Sequence, residues 1–503
     1  MTEPVLVVGA GPVGMTLALE LARYDLDVVV VDRKRELERR GSRAIVVARH
    51  ALETFARLGC AEPMLAKALA IARARTFFRE TELFCVEFPR TQPGEIPLFV
   101  NLQQTYTEQT LYEHVAGQAE VRWSTEAVGL EQRADGVRLR VRTPRGEETL
   151  RGSFVVGCDG GGSAVRKLAG IAFDGRTFHD RFLIADIRAE LPFPNERRFY
   201  FDPPVNPGRQ MLIHQQPDDE WRLDWQVPAD TDAEQERASG RLDRRIRDVI
   251  GDAPYELAWL SSYRFHERIA RRFHAGRVFL AGDAAHLMAP FGARGMNSGI
   301  EDARNLGWKL AFVLAGEAPE RLLGTYEGER LPAARDNVRI TSATMRFMAP
   351  PTPLHRALRN LILRGSLPFA PLRRFVNSGK LATPAVYGGG AGLVGRLAPS
   401  DAVQRRLGRT FTLLCFCRTA DEQQRAAAAA RAARIDLQTV PPEEDRAPGP
   451  GSDPLTNALA REYGVNGAGA AFLVRPDGYV AAEFPEVDAE HVRATVSAEL
   501  RSQ

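Results

Sequence analysis

The sequence predicts an α/β protein: a parallel sheet, an antiparallel sheet inserted into it, and a third, compact α/β unit at the end. Three observations predict it. An apolar strand, Val5 to Val8, runs into Gly9-Ala10-Gly11-Pro12-Val13-Gly14, then a helix, then a second apolar strand, Val28 to Val31, closed by Asp32. From Phe182 to Val227 apolar and polar residues alternate with period two. Beyond a stretch thick in proline and glycine (Pro350-Pro351, Pro353, Gly388-Gly389-Gly390), strand, helix and hairpin signals resume.

The first element is a Rossmann-like βαβ unit with a nucleotide fingerprint. Gly9 permits the tight turn, Gly11 lets the backbone approach a pyrophosphate, and Gly14 lets helix and strand pack closely. Pro12 and Val13 lie between them, where the helix start offers unpaired N–H groups and a positive dipole end to phosphates. Asp32, 18 residues after Gly14, is placed to accept hydrogen bonds from a ribose. These residues bind a dinucleotide, and FAD and NAD both remain open at this point.

At 503 residues the chain is too long for one core. Its 44% hydrophobic and 26% charged residues describe a globular protein. The net charge is +3, and the densest basic run, 33–40, is broken by Glu36 and Glu38, so no nucleic-acid partner is expected. No apolar run reaches the roughly 20 residues of a membrane span, so no membrane partner is expected. Five scattered cysteines, Cys60, Cys85, Cys158, Cys415 and Cys417, suit reduced thiols and a cytoplasmic setting.

In the middle of the chain, Arg122 to Arg142 reads as a hairpin turning at Asp135-Gly136, and Phe154 to Cys158 as a strand leading to Asp159. Trp221, Leu223, Trp225 and Val227 are expected on one side of an antiparallel sheet with one covered face, and Arg222, Asp224 and Gln226 on the other. A strand at 277–281 then delivers Gly282-Asp283, and Gly295-Met296-Asn297-Ser298 opens a long helix ending near Gly316. An acid at a strand's carboxyl end suits a polyhydroxyl chain such as ribitol. Backbone N–H groups at the helix start suit the negative charge of a reduced flavin ring.

These residues resemble the FAD-dependent aromatic hydroxylases, the single-component flavoprotein monooxygenases related to p-hydroxybenzoate hydroxylase. The likeness is greatest to the phenol and 3-(3-hydroxyphenyl)propionate branch. It rests on GAGPVG at 9–14, CDGGGSAVR at 158–166 and GDAAHLMAPFGARGMNSGIEDARNLGWKL at 282–310, and extends over most of residues 1–345. The resemblance implies that Asp32 and Arg33 hold the adenosine ribose, Arg43 the pyrophosphate side, and Gln104 the region near ribitol and phosphates. Val128 is implied as a backbone contact to adenine, Asp159 as an acid serving both FAD and the nicotinamide nucleotide, and Asp283 as the ribitol ligand. Met296 and Asn297, after Gly295, donate N–H groups to the flavin pyrimidine, and Arg294 lies beside the ring, as a charge favouring its reduced form or as a surface ion pair.

The implied chemistry is reduction of FAD by NADPH or NADH, reaction with dioxygen to a flavin hydroperoxide, and attack by the ring of a small phenolic substrate. No metal is needed. Pro290 matches the proline whose carbonyl faces the substrate hydroxyl. His214, on a strand of the substrate sheet, is the candidate side chain at the reacting end, with Tyr200, Arg209, Trp225 and Gln226 as further wall candidates. His286 is assigned a supporting place. The same flavin parts would serve a hydroxylase or Baeyer–Villiger oxygenase acting on an aromatic polyketide, or a flavin- or ligand-binding protein without turnover.

The expected division is 1–175 and 276–345 for the FAD-binding domain, 176–275 for the substrate-binding sheet, 346–400 for a helical linker, and 401–503 for a C-terminal domain. That last unit resembles a thioredoxin-like domain, but Cys415-Phe416-Cys417 is not C-x-x-C, so it is expected to be structural. A homodimer is compatible with the resemblance.

Overall fold

The structure, a computed structural model, describes residues 3–38, 41, 43–92, 94–350, 352–377, 379–388, 392–417, 419–440, 459, 461–465 and 470–501. Arg39, Arg40, Ser42, Pro351, Gly389 and Gly390, which belong to the predicted basic run, cofactor loop and linker, lie outside the described residues.

Val5–Val8 is buried along its whole length because it lies inside a six-stranded sheet. It pairs in parallel with Val28–Val31 and with Phe154–Gly157, and Phe154–Gly157 pairs in parallel with Val278–Leu280. Unbroken runs of β-branched residues form such strands because both faces are covered, here by helices and by the antiparallel strands of 126–152, whose Val137, Leu139 and Val141 join the same core. The helices Pro12–Ala22 and Arg294–Leu314 lie together there, with Pro12 preset for a first helical turn. The parallel register has one consequence for the site. Gly9, Asp32, Asp159 and Asp283, spread over some 270 residues of chain, all emerge at the carboxyl ends of neighbouring strands.

The second sheet has eight strands in the order His286–Leu287, Glu256–Ala270, Phe173–Arg188, Glu220–Val227, Gln210–Gln215, Arg197–Phe201, Arg73–Phe78, Thr81–Glu87. It is antiparallel except where Arg197–Phe201 runs parallel to Arg73–Phe78. Two strands from residues 73–87 therefore extend a sheet that the sequence places within 176–275. Trp221, Leu223, Trp225 and Val227 do share a face, packed against Leu242 and Ile246 of the helix Arg241–Ile250. The expectation of only one covered face is corrected: Arg222 and Gln226 are 2% and 3% exposed, because the cofactor unit covers the other side. The predicted 122–142 hairpin forms as Glu126–Arg133 and Gly136–Thr143, with a third strand, Gly146–Gly152, added.

The C-terminal sheet runs Asp436–Val440, Thr412–Phe416, Ala471–Val474, Val480–Phe484, a parallel pair followed by an antiparallel hairpin. Thr419 and Glu422 form a capping box for the helix Ala420–Ala433. Phe411 of this unit packs against Trp308 and Phe312 of the long helix. Arg475, at the hairpin turn, donates to both oxygens of Glu329 and of Asp477, and Lys309 adds a bond of 2.7 Å to Glu329. No described helix is long and apolar enough to cross a membrane.

Candidate functional site

A cavity of about 750 Å³ opens where the carboxyl ends of the parallel strands meet the polar face of the eight-stranded sheet. Gly9, Gly11, Pro12, Val13, Asp32, Arg33 and Arg43 line one end, Asp159, Asp283 and Pro290 the middle, and Arg197, His214, Arg222 and Asp224 the far wall.

At the first end the glycines divide their work. Gly9 has φ +112, and a Cβ there would meet the Cys158 carbonyl oxygen at 2.4 Å. A Cβ on Gly14 would meet the Gly9 carbonyl oxygen at 1.9 Å, so Gly14 permits helix–strand contact and sits behind the cavity wall. A Cβ on Gly11 would meet nothing within 4 Å, leaving its backbone open to the cavity. Asp32 accepts the Ala10 and Lys34 N–H groups, 2.8 Å each, one on either oxygen. Its carboxylate is thereby fixed at the rim with lone pairs to spare.

The other acids differ sharply. Asp159 accepts Ser163 Oγ at 2.5 Å and the N–H groups of Ala164 and Val165, so its carboxylate caps the helix Ala164–Leu168 while bordering the cavity. Asp283 accepts no hydrogen bond from any described residue. It is open to the cavity, and desolvation by the protein around it pushes its carboxyl above the usual value, against the pull of His286 and Arg43. Gln104 is engaged, accepting from Ala44 N at 3.1 Å and donating to Glu108 at 2.7 Å.

The helix Arg294–Leu314 begins at the cavity after Ala293 in a left-handed turn. Its first turn leaves the N–H groups of Arg294, Gly295 and Met296 without helical partners. Asn297 is absent from the cavity wall: its side chain accepts from Ala48 N and donates to the carbonyls of Val46 and Ala293, tying the helix start to the strand Val46–Ala48. The surface ion-pair reading of Arg294 is corrected, since the residue is 4% exposed. It donates to Asn337 Oδ1 at 2.6 Å and to the carbonyls of Lys380 and Leu381. Burial lowers its guanidinium, with Glu301 opposing. Val128 is also absent from the wall, where Thr125, Glu126 and Ala127 stand instead.

Of the far wall, the sequence points to His214 and misses Arg197, Arg222 and Asp224. Strand pairing sets His214 opposite Arg222 and Leu212 opposite Asp224, so all four share one face. Arg222 donates to both oxygens of Asp186 at 2.8 Å and to the Arg43 carbonyl at 3.2 Å, linking this wall to the cofactor loop. Burial alone would lower Arg222, but Asp186 more than reverses that. The Asp224 carboxyl is pushed up to about 7 by burial, against the pull of Arg222 and Arg197. His214 is held well below its usual value, first by burial and then by both guanidiniums, so it is neutral. Burial lowers Arg197 to about 10. His214 Nδ1 and Asp224 Oδ1 are both buried without a hydrogen-bond partner, an expensive state for polar atoms unless something else meets them.

Of the other wall candidates, Trp225 is core, Tyr200 stacks on Phe77, and Gln226 donates to Asp180; none of these, nor Arg209, borders the cavity. His286 bonds Asp302 at 2.7 Å and lies outside it. For Arg222 and Asp224 the one available signal was their charged alternation along the strand, which period two alone assigns to water.

The cavity suits FAD: an open glycine turn at a helix start, a rim carboxylate, an unengaged carboxylate at Asp283, and a second helix start. A sequence family described as an FAD binding domain matches residues 2–341. A flavin-dependent monooxygenase of Mycobacteroides abscessus is 33% identical, across 95% of this chain and 96% of its own. A 3-(3-hydroxy-phenyl)propionate/3-hydroxycinnamic acid hydroxylase of Mycobacterium sp. (strain KMS) is 33% identical across 74% of this chain and 64% of its own. Among solved structures, the OxyS anhydrotetracycline hydroxylase from Streptomyces rimosus is similar with TM-score 0.75 and 30% identity, across 99% of this chain and 98% of its own.

Proposed function

The chain belongs to the flavin-dependent monooxygenases that carry this FAD-binding domain, and on that premise we propose that it hydroxylates a phenolic ring held against His214 and Asp224. The observation that carries the proposal is the continuity of one cavity from Asp32 to Asp224. FAD, when bound, supplies reduction by NAD(P)H and activation of dioxygen. Asp32 and Arg33 take its adenosine ribose, Arg43 its pyrophosphate side, and Gln104 the region near ribitol and phosphates. Asp283 takes the ribitol, and the N–H groups after Arg294 its pyrimidine edge; the geometry above supports each role. Asp159 borders the cofactor as a fixed charge, in keeping with its role toward FAD and the nicotinamide nucleotide.

The chain's own chemistry lies at the far wall. Asp224 Oδ1 accepts the proton of the substrate hydroxyl, which makes the ring more electron-rich. Arg197 holds the resulting negative charge, and neutral His214 orients the oxygen through Nδ1. Pro290 borders the same cavity, its carbonyl accepting the Ala293 N–H at 3.1 Å. Phe182, Leu212 and Phe291 exclude water around the ring.

A second reading, an aromatic polyketide as substrate, is favoured by one specific observation. The anhydrotetracycline hydroxylase, 30% identical, is similar in structure along 99% of this chain, C-terminal unit included. The C-terminal sheet order supports the thioredoxin-like reading of 401–503, and the five unpaired cysteines support a cytoplasmic setting.

The test is a screen of phenols, hydroxyphenylpropionates and polyphenolic ketides for stimulation of NAD(P)H consumption, with products identified by mass. A product heavier by one oxygen from one class identifies the substrate. FAD-loaded protein that oxygenates none of them defeats the proposal.

A further inference from the structure

Between Asp336 and Asp401 the chain carries no acidic residue, while the same stretch holds eight arginines and Lys380. The middle of this stretch is the helix Pro353–Gly365 followed by the Ala370–Phe375 turn, which packs back on it through Leu372 against Gly365 and Arg373 to the Ser366 carbonyl. Only Arg359 and Leu363 of the helix are buried, and every residue from Pro353 to Leu358 is exposed, so the helix projects from the body.

Its outward residues are not polar. Leu354, Leu358 and Leu361, at positions i, i+4 and i+7, lie on one face and are 77%, 55% and 67% exposed. Phe369 and Phe375, 63% and 51% exposed, widen the patch. Around it stand Arg356, Arg364 and Arg374, all exposed, and among the described residues no carboxylate lies within ion-pair distance of them. An apolar stripe of leucine and phenylalanine edged by unpaired arginine is the composition of a helix that lies in the interface plane of a bilayer.

We propose that the Pro353–Gly365 helix and the Phe369–Phe375 segment form a docking surface for an anionic lipid bilayer. Charge complementarity selects this occupant. A second copy would set arginines against arginines across the contact, which like-charge repulsion opposes. A neutral apolar partner would leave the arginines without counter-charge, whereas anionic headgroups meet the arginines while acyl chains receive the leucines. The protein then lies on the membrane rather than crossing it. The inner face of the same helix joins Leu363 to the cluster of Phe182, Leu212 and Phe291 beside the cavity, so the surface lies next to the route an apolar ring would take. This inference does not depend on the substrate reading.

The test uses the full-length, FAD-loaded protein and co-sedimentation with vesicles. One set is phosphatidylcholine alone; the other carries about a third phosphatidylglycerol. The expected result is binding to the anionic set, weakened by added salt, with little binding to the neutral set. The combined variant Leu354→Ser, Leu358→Ser, Leu361→Ser should bind the anionic vesicles at least about tenfold more weakly while keeping its flavin absorbance and far-UV spectrum. Arg356→Glu with Arg364→Glu should do the same, and should abolish the salt dependence. Absence of binding to anionic vesicles, or equal binding by the leucine variant, overturns the proposal. So does a dimer in light scattering that the leucine variant dissolves, or a stable complex with an acidic protein in place of vesicle binding.

Discussion

Two regions of this molecule bury charge, and they do so in opposite ways. Between the long helix and the C-terminal hairpin turn, Arg475, Glu329, Lys309 and Asp477 meet one another, with Trp308 Nε1 donating to Asp477 at 3.1 Å, and no side-chain atom of the group is left unpartnered. On the cavity wall, Arg222 is closed off by Asp186, but His214 Nδ1 and Asp224 Oδ1 are left without partners. A satisfied buried network holds two units in register. An unsatisfied one, facing a cavity, awaits a ligand. Burial of charge alone does not distinguish assembly from function; unpaired atoms that face a cavity do.

The largest effect expected from this contrast is at the satisfied network. Arg475→Met strips Glu329 and Asp477 of their shared cation and should lower unfolding stability by about 3–5 kcal/mol in denaturant titration, without a direct effect on FAD affinity. The pH dependence sharpens the point. Burial would raise the Glu329 carboxyl, but Arg475 and Lys309 hold it far below its usual 4.5. Its contribution is therefore complete above 4.5 and is lost only as pH falls through the much lower folded value, so mild acid should leave the C-terminal unit docked.

Next comes Asp283→Ala, which removes an unengaged carboxylate. FAD affinity should fall by about tenfold to a hundredfold in titration, while the apoprotein unfolds no earlier than the parent. Unchanged affinity would remove Asp283 from the ribitol site. A smaller effect is expected at Asp224. The folded carboxyl, at about 7, keeps a proton that the unfolded one has released above 3.8, so this group makes stability fall as pH rises between those values. Asp224→Asn should flatten that slope, raise stability at pH 8 by on the order of 2 kcal/mol, and erase the limb near pH 7 in substrate-stimulated NAD(P)H oxidation. The smallest effect is at the C-terminal cysteines. Cys415 and Cys417 are buried, and burial pushes both thiols up. Cys417→Ala should leave turnover, with or without reductant, within about twofold of the parent. Loss of turnover would make this unit a redox partner.

Much of the cofactor end was legible because its signals are local. A strand, a glycine turn and a helix are adjacent in sequence, and so are Leu280, Gly282 and Asp283; parallel pairing then brings the acids to one edge. The packing role of Gly14 is legible in the motif; Asn297 is legible as part of the helix start, but its side chain tethers that start to the strand Val46–Ala48 and it does not border the cavity. Arg294 was legible as a basic residue near the helix start. Its partners, Asn337 and the carbonyls of Lys380 and Leu381, come from distant segments.

The substrate wall was less legible. Period two establishes that the strand Glu220–Val227 has two unlike faces, and it placed the tryptophans correctly. It cannot say what lies over the other face, so Arg222 and Asp224 looked like solvent-facing residues. The acid-free stretch from Asn337 to Ser400 is visible in the sequence, but its meaning depends on which of its leucines the fold leaves outside.

By itself, then, the sequence determined the α/β class, the dinucleotide fingerprint and the flavin-type second motif, since each rests on neighbouring residues and on the handedness of a βαβ turn. Only the tertiary structure decided that Asp32 and Asp224 border one cavity, that Arg222 is claimed by Asp186 while Asp224 is not, and that Arg475 finds Glu329 across 146 residues of chain. Local pattern sets which side chains leave a strand together. Long-range packing sets which of them are desolvated and which are left a partner, and the chemistry of this site follows from that second choice.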